Sequence, residues 1–446
     1  MKTAEMLRWA GPLVERTARV LQSRESATTC QIHHPQTALP SGFALSSPPH
    51  DPTQVPVADS PVYLDGNATT PIDPQVVQSM AAYDQRSPGN PSSAHVHGAR
   101  AETALRAARG EVAQLVGADP SQVIFMSGAT EANNQVFHAI SSKTGKQTAK
   151  PHLITSCIEH KSVLDACCRL QETLGWDVTY LPVGSDGVVR VQALEEALRP
   201  ETLLVSIMLV NNEIGTRQPV WQIGRICKDR GVLFHVDAAQ AVGKVHIDMR
   251  QLQADALSVS AHKFHGPKGI GALIVSPHME QLIRQTPLLV GGGQERGLRS
   301  GTVPVPLAVG FGRASQLARE QLLHSLADAG ELGKKFFHGI KKELEQGVAE
   351  ICLNGSYEER VWSNVSVRIR GIDGGELLQQ ILPRVSCSSS SACNGAFHGS
   401  HVLEAIGVDT SRNAVLRFGL TRMTTGAEVE IAIESVVASI KKLRQL

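Results

Sequence analysis

From Val62 onward, short apolar runs alternate with stretches whose apolar positions recur at helical spacing. Residues 92–116 have helical periodicity, and VIFMS (123–127) is an apolar run of strand length. A helix is predicted over 129–140, a strand at HLITS (152–156) and a helix at SVLDACCRLQETLG (162–175). Further strands are predicted at DVTYLPV (177–183), LLVSIMLV (203–210) and VLFHVD (232–237), and a strand pair at ALSVSA (256–261) and IGALIVS (270–276). Alternation of this kind predicts a mainly parallel sheet with helices on both faces.

The pattern changes near residue 320. One long helix is predicted from there to about Gln346, then a strand at SNVSVRI (363–369) and a short helix at ELLQQIL (376–382). The last helix has apolar positions Val429, Ile433, Val436, Ile440 and Leu443, and Thr425 with Glu428 supplies a capping box. The expected organisation is a large domain over 76–322 and a smaller α/β domain made from 62–75 with 323–446. Residues 1–61 read as a disordered extension: 5–21 have helical spacing, but 35–61 are rich in Pro, Ser and Thr. Arginines there fit an organelle transit peptide while Glu5, Glu15 and Glu25 oppose one, so the address stays open between the cytoplasm and an organelle. The insert SSKTGKQTAK (141–150) reads as a surface loop.

The 446 residues include 43 Lys plus Arg against 42 Asp plus Glu, a balance that gives no reason to expect a nucleic-acid or membrane-surface partner. No apolar run reaches the length of a membrane span. The eight cysteines form no C-x-x-C pair and no Cys/His cluster with zinc spacing, so no metal site is expected and the thiols read as reduced in an intracellular protein.

Four segments carry candidate chemistry. SGATE (127–131) joins a strand to a helix, where small residues and free N–H groups suit a phosphate, although many such turns bind nothing. Asp237 ends a very apolar strand, so its carboxylate needs a cation or strong donors; it could equally cap the next helix. Lys263, in SVSAHKFHGPKG (258–269), follows another apolar strand, and a buried lysine has a lowered pKa and can form a Schiff base. On its own that segment reads better as a surface β-turn around Gly266–Pro267 with a solvated lysine. SCSSSSACNGAFHG (386–399) is small and polar, and places Cys393 where a substrate sulfur can reach it; Cys387 is a second thiol in the same run.

Together and in this order, these segments resemble the cysteine desulfurases and related selenocysteine lyases, within the class V aminotransferase-like proteins. The likeness spans about residues 62–446 and also includes YLDGNATTP (63–71), GNPSS (89–93), EHKSVLD (159–165), VSIMLVNNEIG (205–215), GGGQERGLRSGT (291–302) and VLRFGLTR (415–422). It implies a pyridoxal-phosphate-dependent transferase fold, with the aspartate aminotransferase-like large and small domains, and pyridoxal 5′-phosphate as cofactor. By that resemblance Lys263 is the Schiff-base lysine, and Ala129, Thr130, Ser260 and His262 hold the phosphate. Asp237 pairs with the pyridine nitrogen, Gln240 bonds the ring oxygen, and Asn212 lies by the ring oxygen and the substrate carboxylate. His160 stacks on the ring and moves protons, and Arg417 clamps the substrate carboxylate. Thr302 reaches the phosphate of a neighbouring subunit, which implies a homodimer.

The activity so implied removes sulfur from L-cysteine, gives L-alanine, and leaves a persulfide on Cys393 for an acceptor protein or thiol, in the service of iron–sulfur cluster assembly. Two other readings stand beside it. One is a selenocysteine lyase acting on L-selenocysteine; here the Leu-Glu-Pro stretch typical after the cysteine of desulfurases with a long mobile loop is missing from NGAFHGSHVLEAIG (394–407), while Arg299–Thr302 look like a desulfurase. The other is an inactive scaffold for iron–sulfur assembly partners, opposed by intact Lys263, Asp237, Arg417 and Cys393.

Overall fold

The unbroken apolar runs become strands without an exposed residue. The computed structural model describes residues 61–84, 88–141, 150–344, 348–389 and 399–445, with 322–327 described by backbone alone. In chain order the elements are β1 (Val62–Tyr63), α1 (Pro74–Asp84), α2 (Val96–Leu115), β2 (Val123–Met126), α3 (Ala129–Ser141), β3 (His152–Ser156), α4 (Lys161–Leu174), β4 (Asp177–Leu181), α5 (Val191–Ala197), β5 (Thr202–Met208), α6 (Val220–Arg230), β6 (Leu233–Asp237), α7 (Met249–Leu252), β7 (Ala256–Ser260), β8 (Gly271–Val275) and α8 (Pro277–Gln285). They continue with α9 (Val305–Leu344), β9 (Ile351–Leu353), β10 (Asn364–Arg370), α10 (Gly374–Ile381), β11 (Val385–Ser386), β12 (Ser388–Ser389), α11 (His401–Ala405), β13 (Asn413–Gly419) and α12 (Gly426–Leu443). Asp59–Leu446 form one compact unit.

The main sheet has the order β2-β8-β7-β6-β5-β3-β4. Only β8 runs against the others: it pairs antiparallel with both β2 and β7, and the remaining pairs are parallel. Every residue of β2, β3, β6, β7 and β8 is buried, as expected for a sheet covered on both faces. Alternate side chains divide between two cores. Val205, Phe234, Val236 and Val259 pack with Leu105, Val112 and Phe311 from α2 and α9. Leu153, Leu204, Leu233 and Leu273 pack with Phe137, Leu170 and Ile283 from α3, α4 and α8.

A second, antiparallel sheet has the order β12-β13-β10-β9 and its own core, in which Val365, Val367, Leu416 and Phe418 meet Phe336 of α9, Leu377 of α10 and Val436 of α12. Strand β13 escaped the sequence reading. The capping box expected before the last helix is present: Thr425 accepts from the Glu428 amide and Glu428 accepts from the Thr425 amide.

The long helix corrects the sequence reading at its start. It begins at Val305, not near residue 320, and runs without a break past residue 322. Gly310 and Gly312 lower its helix propensity, but a Cβ on Gly310 would come within 2.6 Å of Met80, and one on Gly312 within 2.6 Å of the Ala108 backbone. Close packing on α1 and α2 therefore requires both glycines and hides the helix from a propensity reading. None of the described helices is long and apolar enough to cross a membrane. Among the described residues, Cys157, Cys167, Cys168, Cys227, Cys352 and Cys387 form no disulfide. The N-terminal extension, most of the insert over 141–150, Cys30 and Cys393 lie outside the described residues.

Candidate active site

Strands β2, β3, β5, β6 and β7 point their carboxyl ends the same way, and the chemistry-bearing segments follow those ends, as in open α/β sheets generally. After β7 a single 3-10 turn, Ala261–Lys263, brings Lys263 under the segment that follows β1. Lys263 Nζ donates to the carbonyls of Asn67 and Ala68, each at 2.8 Å. Burial, and then the charge of Arg417, lower this amine to about 8; Asp237 and Asp65 pull the other way. Thr70 fixes the same roof by donating to the His262 carbonyl at 3.0 Å and accepting from the His265 amide at 2.7 Å. Gln240 Nε2 also donates to the Asn67 carbonyl (2.8 Å), while its Oε1 accepts from Lys244 (3.0 Å). Burial, then Lys263 and Arg417, lower Lys244 to about 7.

Asp237 ends β6 and is 6 % exposed. It accepts from Asn133 Nδ2 at 2.8 Å and from the Ala239 amide at 2.9 Å, both neutral donors. Asn133 Nδ2 also lies 2.9 Å from Ser162 Oγ, which is 2.8 Å from Nδ1 of His160, the residue that caps α4. Beside them Glu159 is fully buried and accepts from Ser156 Oγ (2.5 Å) and the Met208 amide (2.9 and 3.1 Å). Burial pushes its carboxyl up to about 8, and the charge of Asp237 acts in the same direction.

Ala129 and Thr130 open α3 immediately after Gly128, and a Cβ on Gly128 would lie 3.8 Å from Ser260 Oγ, so the SGATE turn and the end of β7 are neighbours. His262 Nδ1 is 3.1 Å from Thr69 Oγ1; burial and then Lys263 lower its ring to about 4, so it is neutral at ordinary pH. On the other side Arg417 of β13 donates to the Asn212 carbonyl (3.1 Å), Asp65 Oδ1 (3.1 Å) and Ser388 Oγ (2.8 Å). Its Nε is buried and has no partner among the described residues.

The structure thus gathers Lys263, Asp237, Gln240, Ser260, His262, Ala129, Thr130, Asn212, Arg417 and His160 around one end of the sheet. Thr302 is exposed and no hydrogen bond ties it to these groups. Cys393 lies within 390–398, outside the described residues, but both flanks of that segment are tied to the site. Ser388 bonds Asp65 and Arg417 before it; after it, Ser400 bonds Glu213 and His401 Nε2 lies 2.9 Å from the Glu159 carbonyl. Sequence reasoning assigned no role to Asp65, Asn67, Asn133, Glu159, Ser162 or Lys244. Asp65, Asn67, Glu159 and Ser162 stand inside YLDGNATTP and EHKSVLD, which was the only signal available for them.

The model of the aminotransferase class-V family matches residues 62–431. A mitochondrial cysteine desulfurase of Arabidopsis thaliana is 44% identical over 399 residues, which is 88% of this chain and 85% of that protein. A solved NifS-like protein superposes with a TM-score of 0.77 at 36% identity, covering 86% of this chain and all of that one. SspA, solved in complex with cysteine, gives 0.67 at 36% identity over 81% of this chain and 99% of its own. The fold is that of the pyridoxal-phosphate-dependent transferases, and the chain belongs to the cysteine desulfurases of the aminotransferase class-V family.

Proposed function

We propose that the protein is a pyridoxal-phosphate-dependent cysteine desulfurase that takes sulfur from L-cysteine, releases L-alanine, and carries the sulfur as a persulfide on Cys393. One observation carries most of this reading: a lysine with its amine lowered to about 8 shares a site with a buried carboxylate whose hydrogen bonds, among the described residues, come from neutral donors. That pair fits the cofactor. Asp237 has room in its charge balance for a protonated pyridine nitrogen, and Lys263 is available as an amine.

Ser260, His262 and the first residues of α3, Ala129 and Thr130, would hold the phosphate, where free N–H groups favour an anion. Gln240 would face the ring oxygen. When bound, the cofactor supplies an electron sink for the substrate Cα. Lys263 takes the Cα proton, a role suited to an amine near neutrality. Arg417, with Nε unused and Nη2 on Ser388 and Asp65, receives the substrate carboxylate together with Asn212. His160, at the mouth of the site, exchanges protons with the reacting centre.

In the sulfur step the Cys393 thiolate attacks the sulfur of the substrate. The C–S bond breaks with its electron pair passing to carbon, a proton replaces the sulfur there, and alanine leaves. Cys387 is a poor rival, because burial, and then Asp65, push its thiol up to about 12. Homodimer formation belongs to the same proposal. Thr302 is exposed, and Leu288, Leu289 and Val290 (79 % exposed) form an apolar run close by in sequence that a second copy would cover. So does an organelle address in residues 1–61, supported by the mitochondrial designation of the Arabidopsis relative.

The test is to add L-cysteine, trap persulfides with an alkylating reagent and map them by mass spectrometry. The label should fall on Cys393, persist in Cys387→Ala, and vanish in Cys393→Ala while the yellow cofactor absorbance remains. Loss of that absorbance should follow Lys263→Ala. Strong preference for selenocysteine with rejection of cysteine would overturn the choice of substrate.

A further inference from the structure

Four hydrogen bonds join Asp237 to His160 through two residues given no role above. Asn133 Nδ2 reaches Asp237 Oδ2 at 2.8 Å and Ser162 Oγ at 2.9 Å. Ser162 in turn meets His160 Nδ1 twice, through Oγ at 2.8 Å and through its backbone amide at 3.2 Å.

The direction of every bond in this chain can be worked out. A backbone amide only donates, so Nδ1 of His160 accepts and carries no proton. Ser162 Oγ therefore gives its own hydrogen to Nδ1, and its lone pair accepts from Asn133. Both hydrogens of the Asn133 amide are then used, one on Ser162 and one on Asp237. Its Oδ1 is left buried with no partner among the described residues, normally an unfavourable arrangement. Turning the amide over would not help, because it would press that oxygen against the Asp237 carboxylate. The unsatisfied oxygen is the consequence of fixing the two N–H groups where they are.

We infer that Asn133 and Ser162 are positioning residues that lock the His160 ring in the tautomer with its proton on Nε2, and that the carboxylate of Asp237 sets the direction of the lock. With Nδ1 facing two donors on α4, Nε2–H is the ring's one proton-giving position. This inference rests on the reading of His160 and Asp237 as cofactor-facing residues, and it makes His160 a donor of a proton to the reacting centre at a defined atom. Ser162 is half-buried on the first turn of α4, so its truncation removes the hydroxyl and little else.

The tautomer can be read directly from the full-length protein with ¹⁵N-labelled histidine rings, first with its cofactor and again after cofactor removal. His160→Gln identifies the His160 signals among the 17 histidines. Wild type should show the proton on Nε2. Ser162→Ala and Asn133→Ala should each lower the ratio of Nε2–H to Nδ1–H forms by about fivefold, the weight of one lost hydrogen bond, and Ser162→Thr should restore it. kcat should fall by about tenfold in Ser162→Ala with KM little changed. A wild-type proton on Nδ1, or an unaltered ratio in Ser162→Ala, overturns the inference. Circular dichroism checks that Asn133→Ala is folded; if it is not, Ser162→Ala decides alone. The cofactor-free measurement does not depend on the proposed activity, whose failure would appear instead as absent yellow absorbance or absent persulfide.

Discussion

Burial and the neighbouring charge of Arg417 lower the Lys263 amine to about 8, whereas an ordinary lysine titrates near 10.5. Only the neutral amine attacks an aldehyde. In cofactor-free protein, reductive labelling of Lys263 by a simple aldehyde should therefore rise through about pH 8, well before the surface lysines react. Peptide mapping across pH checks this, and labelling of Lys263 in step with exposed lysines would contradict it. Glu159 offers a second test, with the opposite charge. Its folded pKa is raised to about 8, mainly by burial, from an ordinary 4.5. Between those two values the unfolded chain gives up a proton that the folded chain keeps, so this residue's contribution to stability falls as pH rises from 4.5 to 8. Glu159→Gln carries no such slope. Urea melts at pH 5 and pH 8 should show the Gln variant gaining on wild type by roughly 2 kcal/mol or more. A pH-independent difference would mean that Glu159 folds as a carboxylate.

At the scale of elements, what could be read in the sequence was whatever is local. The helix cap at Thr425 and Glu428 lies within four residues, and it is present in the structure. Thr425→Ala should cost about 1 kcal/mol in a urea melt and leave the cofactor absorbance unchanged, since α12 packs in the second core, away from Lys263. The runs of β3, β6 and β7 were legible for the same reason: each is one continuous buried segment of strand length. The start of α9 was not, because Gly310 and Gly312 make sense only once α1 and α2 lie against them. The site shows the same division. Asp237 ends an apolar strand and Lys263 follows one by three residues, so both could be named as candidates from local sequence. Asn67, which accepts from Lys263, is 196 residues away in sequence, and Asn133 meets Asp237 across 104 residues. No spacing rule connects such pairs.

For the molecule as a whole, the edge of the main sheet at β2 is closed by a charge pair that also holds the segment leading to Thr302. Arg109 of α2 makes two bonds to Glu295, at 2.7 and 2.6 Å, and Glu295 also accepts from the Phe125 amide of β2 at 2.8 Å. The side chains of the pair are 15% and 3% exposed. Glu295 and Arg296 both hold positive φ, 47° and 60°, a conformation unfavourable for side chains that have a Cβ. The pair therefore maintains a strained turn between the sheet edge and the exposed segment proposed to face a second copy. Glu295→Ala leaves the Arg109 guanidinium without its counter-charge, on the Val123 carbonyl alone, and the Phe125 amide without its Glu295 acceptor, and should cost about 3–5 kcal/mol. It should also shift dimer dissociation to higher protein concentration in sedimentation experiments, because the Thr302 segment loses its anchor. Replacing both members, Arg109→Met with Glu295→Gln, removes the stranded charge and should recover part of the stability but not the anchor. Equal stability of the single and double variants would show that the charge pair is not what holds the segment. Full stability recovery with normal dimers in the double variant would show that the turn holds itself.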